Sequence, residues 1–420
     1  MTSEVVLLNK DAIVIAADSA VTVGRDPHPR YSKSANKIFD GSTCGNLAIA
    51  IFSGAEIDGV PWELAIKQFR VADTTTPQRP ELRDYIPALI QFLQCNPSMF
   101  PAKWLEQILK DKLAIAAIQV TDDVKRRNSS LDDVSLTQEI GLPIWHQVIT
   151  ELHQNVDSLP LAGSLSMTNY EAVKGRVGEL APLLLDYAPA GVRPFIDLKE
   201  YFELAVDYAF KAPHYVYSST GVIFAGYGAA QIFPAFHSIT VYGHIGSEIC
   251  FVDDAKHVMN HTSGAWIQPF AKTSMIQRFT DGFDYKQQLL LNDAIASSIS
   301  EYTQRLRQEG AQIAPQLAES LTREITDASV SKWKISNYVE NFHPLRRVLN
   351  SLSVQEMAEL AETLLVLESL RERVTSPSET VGGPVDVAAI TKADGLVWIR
   401  RKHYFEPKLN LRYLERIRAL

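Results

Sequence analysis

Polar and apolar positions alternate in blocks at the start of the chain. Glu4 to Leu8 is a short apolar-rich run, Asn9-Lys10-Asp11 carries turn chemistry, and Ile13 to Ala17 is a second apolar run ending at Asp18. Two such runs around a polar turn predict an antiparallel hairpin that brings Asp18 back towards Thr2. Leu47 to Phe52 is a third apolar run, closed by Ser53-Gly54. Helical spacing then takes over. Asp58 to Val71, Glu81 to Leu93 and Lys103 to Leu113 predict helices, and Ala114 to Val120 predicts a strand. Gln138 to His153 and Leu198 to Phe210 have helical character. Strand signals resume at Thr220, with runs at Val222 to Ala225, Ile232 to Tyr242 and Glu248 to Val252.

The last third is mostly helical. Leu291, Ile295, Ile299, Tyr302 and Leu306 form one stripe on a helix over Lys286 to Gln308, and Ile313, Leu317, Leu321 and Ile325 repeat the spacing. Ser353-Val354-Gln355-Glu356 is a capping-box sequence opening a third helix. Strands over Val381 to Ile390 and Gly395 to Arg400 follow. Strands, helices, strands, helices, strands without βαβ alternation predict an α+β fold.

Composition narrows the function classes. The chain has 420 residues, 46% hydrophobic and 21% charged, with a formal net charge of -8. The acidic balance argues against nucleic-acid binding. No apolar run is long enough for a bilayer, so no membrane role is expected. Cys44, Cys95 and Cys250 show no ligand spacing, and three thiols without a secretory signal predict a cytoplasmic protein. His257 and His261 stand four apart, but no glutamate follows the first; no metal and no cofactor is expected. Gly226-Tyr227-Gly228 lacks the third glycine of a dinucleotide fingerprint and reads as a strand-end turn.

Thr2 is the candidate nucleophile. Removal of Met1 leaves its α-amine and hydroxyl on one residue, so it can act as nucleophile and supply its own base. An unperturbed α-amine has a pKa near ~8. Asp18, at the end of a buried run, needs a cation or backbone donors. Lys37, before Ile38-Phe39, is the candidate partner. Taken singly, the bland readings are a chain end, a turn residue and a solvated lysine.

Together these residues resemble the proteasome β-subunit and bacterial proteasome-like family of N-terminal nucleophile hydrolases. The resemblance rests on Thr2, Ala16-Ala17-Asp18-Ser19-Ala20-Val21-Thr22, Lys37-Ile38-Phe39, Leu47 to Gly54, and the late Val381-Gly382-Gly383 hairpin. It implies a four-layer αββα sandwich, one domain over 1–420, with a mostly helical insertion over 73–213. It implies a threonine-type endopeptidase cleaving amide bonds, with Thr2, Asp18 and Lys37 catalytic. Backbone N–H groups near Ile51 to Gly54 would stabilise the oxyanion, with Ile51 at the position where the family has glycine. Thr22 and Ser53 would pair with an extended substrate backbone. Ser378 or Thr380 would support the Thr2 amine, and Ser274 stands in for a further serine. The resemblance further implies a peptide or protein substrate, a homo-oligomeric ring and an ATPase unfoldase as partner. Two alternatives stay open: a small-amide amidohydrolase, which the insertion favours by closing the cleft, and a non-catalytic scaffold subunit.

Overall fold

The computed structural model describes residues 2–23, 30–73, 78–375, 381–403, 405–412 and 415. Its main strands are β1 (Ser3–Leu8), β2 (Ala12–Ala17), β3 (Ile38–Asp40), β4 (Leu47–Phe52), β5 (Thr220–Gly226), β6 (Ala235–Ile245), β7 (Glu248–Val258), β8 (Trp266–Ala271), β9 (Asp386–Thr391) and β10 (Gly395–Arg400). They form two antiparallel sheets, ordered β8-β1-β2-β9-β10 and β7-β6-β5-β4-β3. The longer helices are α1 (Trp62–Ala72), α2 (Tyr85–Gln94), α3 (Ala102–Arg127), α4 (Gln138–Asp157), α5 (Met167–Lys174), α6 (Leu198–Lys211), α7 (Ser274–Asp281), α8 (Tyr285–Gln308), α9 (Pro315–Asn337) and α10 (Val354–Thr375). The chain is therefore mixed α+β with antiparallel sheets.

Alternate side chains of a strand face opposite ways, and here that parity sorts the core. Val6, Leu8, Ile13 and Ile15 of the first sheet meet Ala48, Ala50, Ile223 and Phe236 of the second. The opposite faces are also covered. Val5, Leu7, Val14 and Ala16 pack with Met357, Ala361 and Leu364 of α10. Leu47, Ile49, Ile51 and Val222 pack with Trp62 and Phe69 of α1 and Leu89 of α2. Burial on both faces explains why β1 and β2 read as continuous apolar runs. Each fully buried Val, Leu or Ile contributes about 1.5–3 kcal/mol.

A further core lies among the helices of the middle third. Trp145, Leu152, Tyr201 and Phe202 pack with Leu113 and Val120 of α3 and with Tyr242, Ile245 and Cys250 at the ends of β6 and β7. The separately packed region thus begins at α3. α2, although beyond residue 73, belongs to the sheet core.

Several expectations need correction. Ala114 to Val120 is the interior of α3, because the surrounding residues continue the helix to Arg127. The first helix starts at Trp62, and Leu64 faces outwards while Ala65, Ile66 and Phe69 are buried. β8 carries no alternation and contains Pro269, and the sequence reading left it out. The expected helix over Lys286 to Gln308 forms, capped by reciprocal bonds between Asp284 and Gln287, yet none of its residues is buried. Ser353 and Glu356 make the expected capping box. Among the described residues, no helix is long and apolar enough to cross a membrane.

Candidate functional site

The β1–β2 hairpin builds the site. Asn9 Oδ1 accepts from the N–H groups of Asp11 and Ala12 at 3.0 and 3.1 Å, which fixes the turn. The register then sets Glu4 opposite Ala17, and Asp18 N–H donates to Ser3 O at 3.1 Å. Asp18 returns beside the chain start, as expected.

Asp18 is 1% exposed and saturated with donors. Its Oδ1 accepts from Ser3 N–H at 3.2 Å and from Lys37 Nζ, and its Oδ2 accepts from Gly382 N–H at 2.8 Å. Gly382 has φ +144°, which its lack of a Cβ permits, so the late Gly382-Gly383 turn reaches the early aspartate. Lys37, 3% exposed, enters from just before β3. Burying these charges alone is costly, and their pairing with added hydrogen bonds is the arrangement that makes it tolerable.

Thr2 is buried. Its carbonyl accepts from Lys272 N–H at 3.0 Å, which ties it to the end of β8. Its Oγ1 donates to Glu4 Oε2 at 3.3 Å and accepts from Ser53 N–H at 3.3 Å. Ser53 has φ +67°, a conformation uncommon for a non-glycine residue, and it sits where the chain leaves β4. Gly54 follows because a Cβ there would lie 2.1 Å from Thr220 Oγ1.

The structure thus brings together Thr2, Asp18, Lys37 and Ser53, with Gly54 adjacent. It does not bring the Ile51 N–H to Thr2 Oγ1. Ile51 N–H donates to Lys37 O at 3.0 Å within the sheet, and its side chain faces the α1–α2 core. Ser53 supplies the N–H beside Oγ1 instead. The Ser274 hydroxyl has other partners: it donates to Glu368 Oε1 at 3.0 Å and meets Arg371 of α10. Thr22 belongs to a short strand, Val21–Val23, paired with Arg30–Ser32, and its side chain lies outside the described residues. Ser378 and Thr380 lie outside them as well.

Glu4 was missed by the sequence reading. It is 0% exposed, and its Oε1 stands 3.3 Å from Lys37 Nζ, off the line of a hydrogen bond. Burial pushes its carboxyl up to about 8, against the opposing pull of Lys37, with Asp18 adding to the rise. The available signal was strand parity: Thr2, Glu4, Val6 and Leu8 share one face, so this acid points between the sheets.

A cavity of about 230 Å³ opens beyond Ser53 and Gly54, lined also by Asp58, Lys112, Thr220 and Tyr242. Lys112 donates to Tyr242 O, lies 4.4 Å from the Tyr217 ring centroid and stands 4.0 Å from Asp58. Burial lowers its pKa, with Asp58 opposing the shift. Among the described residues, His153, Asp157 and Asp207 have the spacing for a metal, but Lys211 stands 3.0 and 3.2 Å from the two carboxylates and serves as their cation. His257 is in a strand and stacks on Trp266, and His261 meets Phe233 edge-on.

Compared with family models and with curated proteins, the sequence gives no match.

Proposed function

We propose that the chain is an N-terminal threonine hydrolase that cleaves amide bonds, built on the four-layer αββα plan of proteasome-like enzymes. The observation that carries this reading is Thr2 Oγ1, 3.3 Å from the Ser53 N–H and set in the same buried cluster as the Lys37–Asp18 pair. In this reading Oγ1 attacks a peptide carbonyl carbon. The Ser53 N–H meets the oxygen on which charge develops. Lys37 supplies a positive field that favours proton transfer off the hydroxyl, and Asp18 holds Lys37 in place. The stacking of helix, sheet, sheet and helix cores supports the four-layer plan.

The test is chemical. Untagged protein is analysed by intact mass, then treated with a β-lactone, which needs only the hydroxyl, and with an epoxyketone, which needs hydroxyl and free α-amine on one residue. Loss of Met1 and labelling of Thr2 by both reagents are expected, with Thr2→Ala unlabelled. A protein inert to both sinks the reading.

One observation favours a small-amide substrate as second reading: the cavity beside Ser53 holds about 230 Å³, enough for a compact group. Turnover of short amides but not of unfolded proteins would select it. We also propose a homo-oligomer, as a ring. α8 buries no residue within the chain, and Tyr285, Leu290 and Tyr302 are exposed on it. Light scattering at micromolar concentration decides this; a strictly monomeric active protein excludes the ring.

A further inference from the structure

We propose that Glu4 is a catalytic residue, the group that takes the proton from Thr2 Oγ1 and returns it to the leaving amine. This rests on the hydrolase reading above and adds a residue to it. The first support is a hydrogen-bond chain. Ser53 N–H donates to Thr2 Oγ1, and Oγ1 lies 3.3 Å from Glu4 Oε2, so in its ionised form the Glu4 carboxylate is the acceptor within reach of the hydroxyl proton. The second is that Glu4 is under-satisfied. Fully buried carboxylates normally collect several donors. Asp18 has three, while among the described residues Glu4 has the Thr2 hydroxyl at 3.3 Å on Oε2 and the Lys37 ammonium at 3.3 Å, in poor alignment, on Oε1.

The third support is charge. Asp18 and Glu4 share Lys37 as their side-chain cation, and removal of Met1 adds the Thr2 α-amine beside them. The residues opposite Glu4 on the neighbouring strands, Ala17 and Phe270, cannot titrate. Burial raises its proton affinity most, Asp18 adds to the rise, and Lys37 and the Thr2 hydroxyl oppose it. Burial favours the neutral carboxyl, and the Thr2 hydroxyl is hydrogen-bonded to it. A carboxyl whose pKa lies near working pH is matched to general acid–base catalysis.

The step balances. Glu4 carboxylate takes the Oγ1 proton as the Oγ1 lone pair bonds to the carbonyl carbon, and the C=O pair moves to oxygen. Collapse breaks the C–N bond, and the amine leaves with the proton from Glu4. Water then passes a proton to Glu4 and attacks the Thr2 ester. The ester C–O bond breaks and Oγ1 recovers that proton.

The test follows β-lactone labelling of Thr2 against pH in wild type, Glu4→Gln and Glu4→Asp, since that reagent does not need the α-amine. General-base loss predicts at least a roughly hundredfold slower rate in Glu4→Gln and disappearance of the inflection near neutral-to-alkaline pH. Glu4→Asp, which keeps the charge, is expected to fold and retain the inflection at a reduced rate. Wild-type rate or a retained inflection in folded Glu4→Gln overturns the proposal and leaves the α-amine as base. A second arm follows the ¹³C carboxyl resonance of Glu4. Thr2→Val removes a donor to the carboxylate and should raise its titration midpoint; an unmoved midpoint also overturns the proposal. If wild-type Thr2 takes no label, the hydrolase reading fails, and the catalytic role assigned to Glu4 falls with it, whereas a label that survives Glu4→Gln rejects Glu4 alone.

Discussion

Lys37 lies between Asp18 and Glu4, at the end of the core shared by the two sheets. Lys211 lies between Asp207 and Asp157 in the helical region, at 3.2 and 3.0 Å. The charge count is the same and the environments are not. Asp157 is 61% exposed at its side chain, and Asp207 accepts from Tyr170 at 2.5 Å with His153 3.7 Å away. Burial pushes the Asp207 carboxyl up, but His153, Tyr170 and Lys211 outweigh it and hold it below the usual range. At Glu4 burial wins. What sets the proposed reactive cluster apart is a dry acceptor next to a hydroxyl, and the number of charges is the same in both.

Removing the lysines should separate the clusters most strongly. Lys37→Ala leaves Asp18 and Glu4 buried without a cation, so it should cost about 3–5 kcal/mol and abolish labelling of Thr2. Lys211→Ala leaves Asp207 its tyrosine and histidine and should cost about 1 kcal/mol. Urea midpoints at pH 7 measure both, and equal losses would break the comparison.

Acidity gives the next contrast, with opposite signs. The folded state holds a proton on Glu4 that the unfolded state has released. Its contribution is therefore fully present below pH about 4.5 and is lost as pH rises towards about 8. Glu4→Gln should flatten that fall, a change on the order of a few kcal/mol. Thermal midpoints from pH 5 to 8.5 report it, and parallel curves for the two proteins would count against the raised carboxyl.

Asp207 works the other way and more weakly. Its carboxyl is held low, so its contribution is present above the unfolded pKa and lost as pH falls through the folded value. Asp207→Asn should lower stability at neutral pH and blunt the loss below about pH 4. A variant that instead changes the slope between pH 5 and 8 would show that His153, not Asp207, dominates this cluster.

What the sequence showed of this site was what local pattern can carry. Asp18 and Lys37 stand at the edges of apolar runs, where a charge demands a partner. Thr2 stands just before the first of those runs. Glu4 was hidden because one acid inside an apolar run looks like noise until strand parity is applied. Ile51 was favoured over Ser53 because a resemblance supplies an order of residues, not the hydrogen bond that commits Ile51 N–H to Lys37 O. In the fold, the hairpin and α10 were legible from turn and cap chemistry. β8 was not, since its place beside β1 depends on pairing across the whole chain. The strand expected at Ala114 to Val120 failed for a related reason: a short apolar run has the same look inside a buried helix.

β1 and β2 sit inside a sheet whose neighbouring strands, β8 and β9, begin at Trp266 and Asp386. The strands beside Thr2 are therefore made well before the strands that flank them and wait for those partners. At roughly 5–20 residues per second, the interval between Thr2 and Gly382 takes about 20–75 s. During that time Asp18 lacks the Gly382 donor, and Thr2 lacks its anchor at Lys272 for most of it. A nascent chain therefore lacks the assembled Thr2–Asp18–Lys37 cluster until its late strands are made, so under the proposed hydrolase reading synthesis itself times the onset of activity.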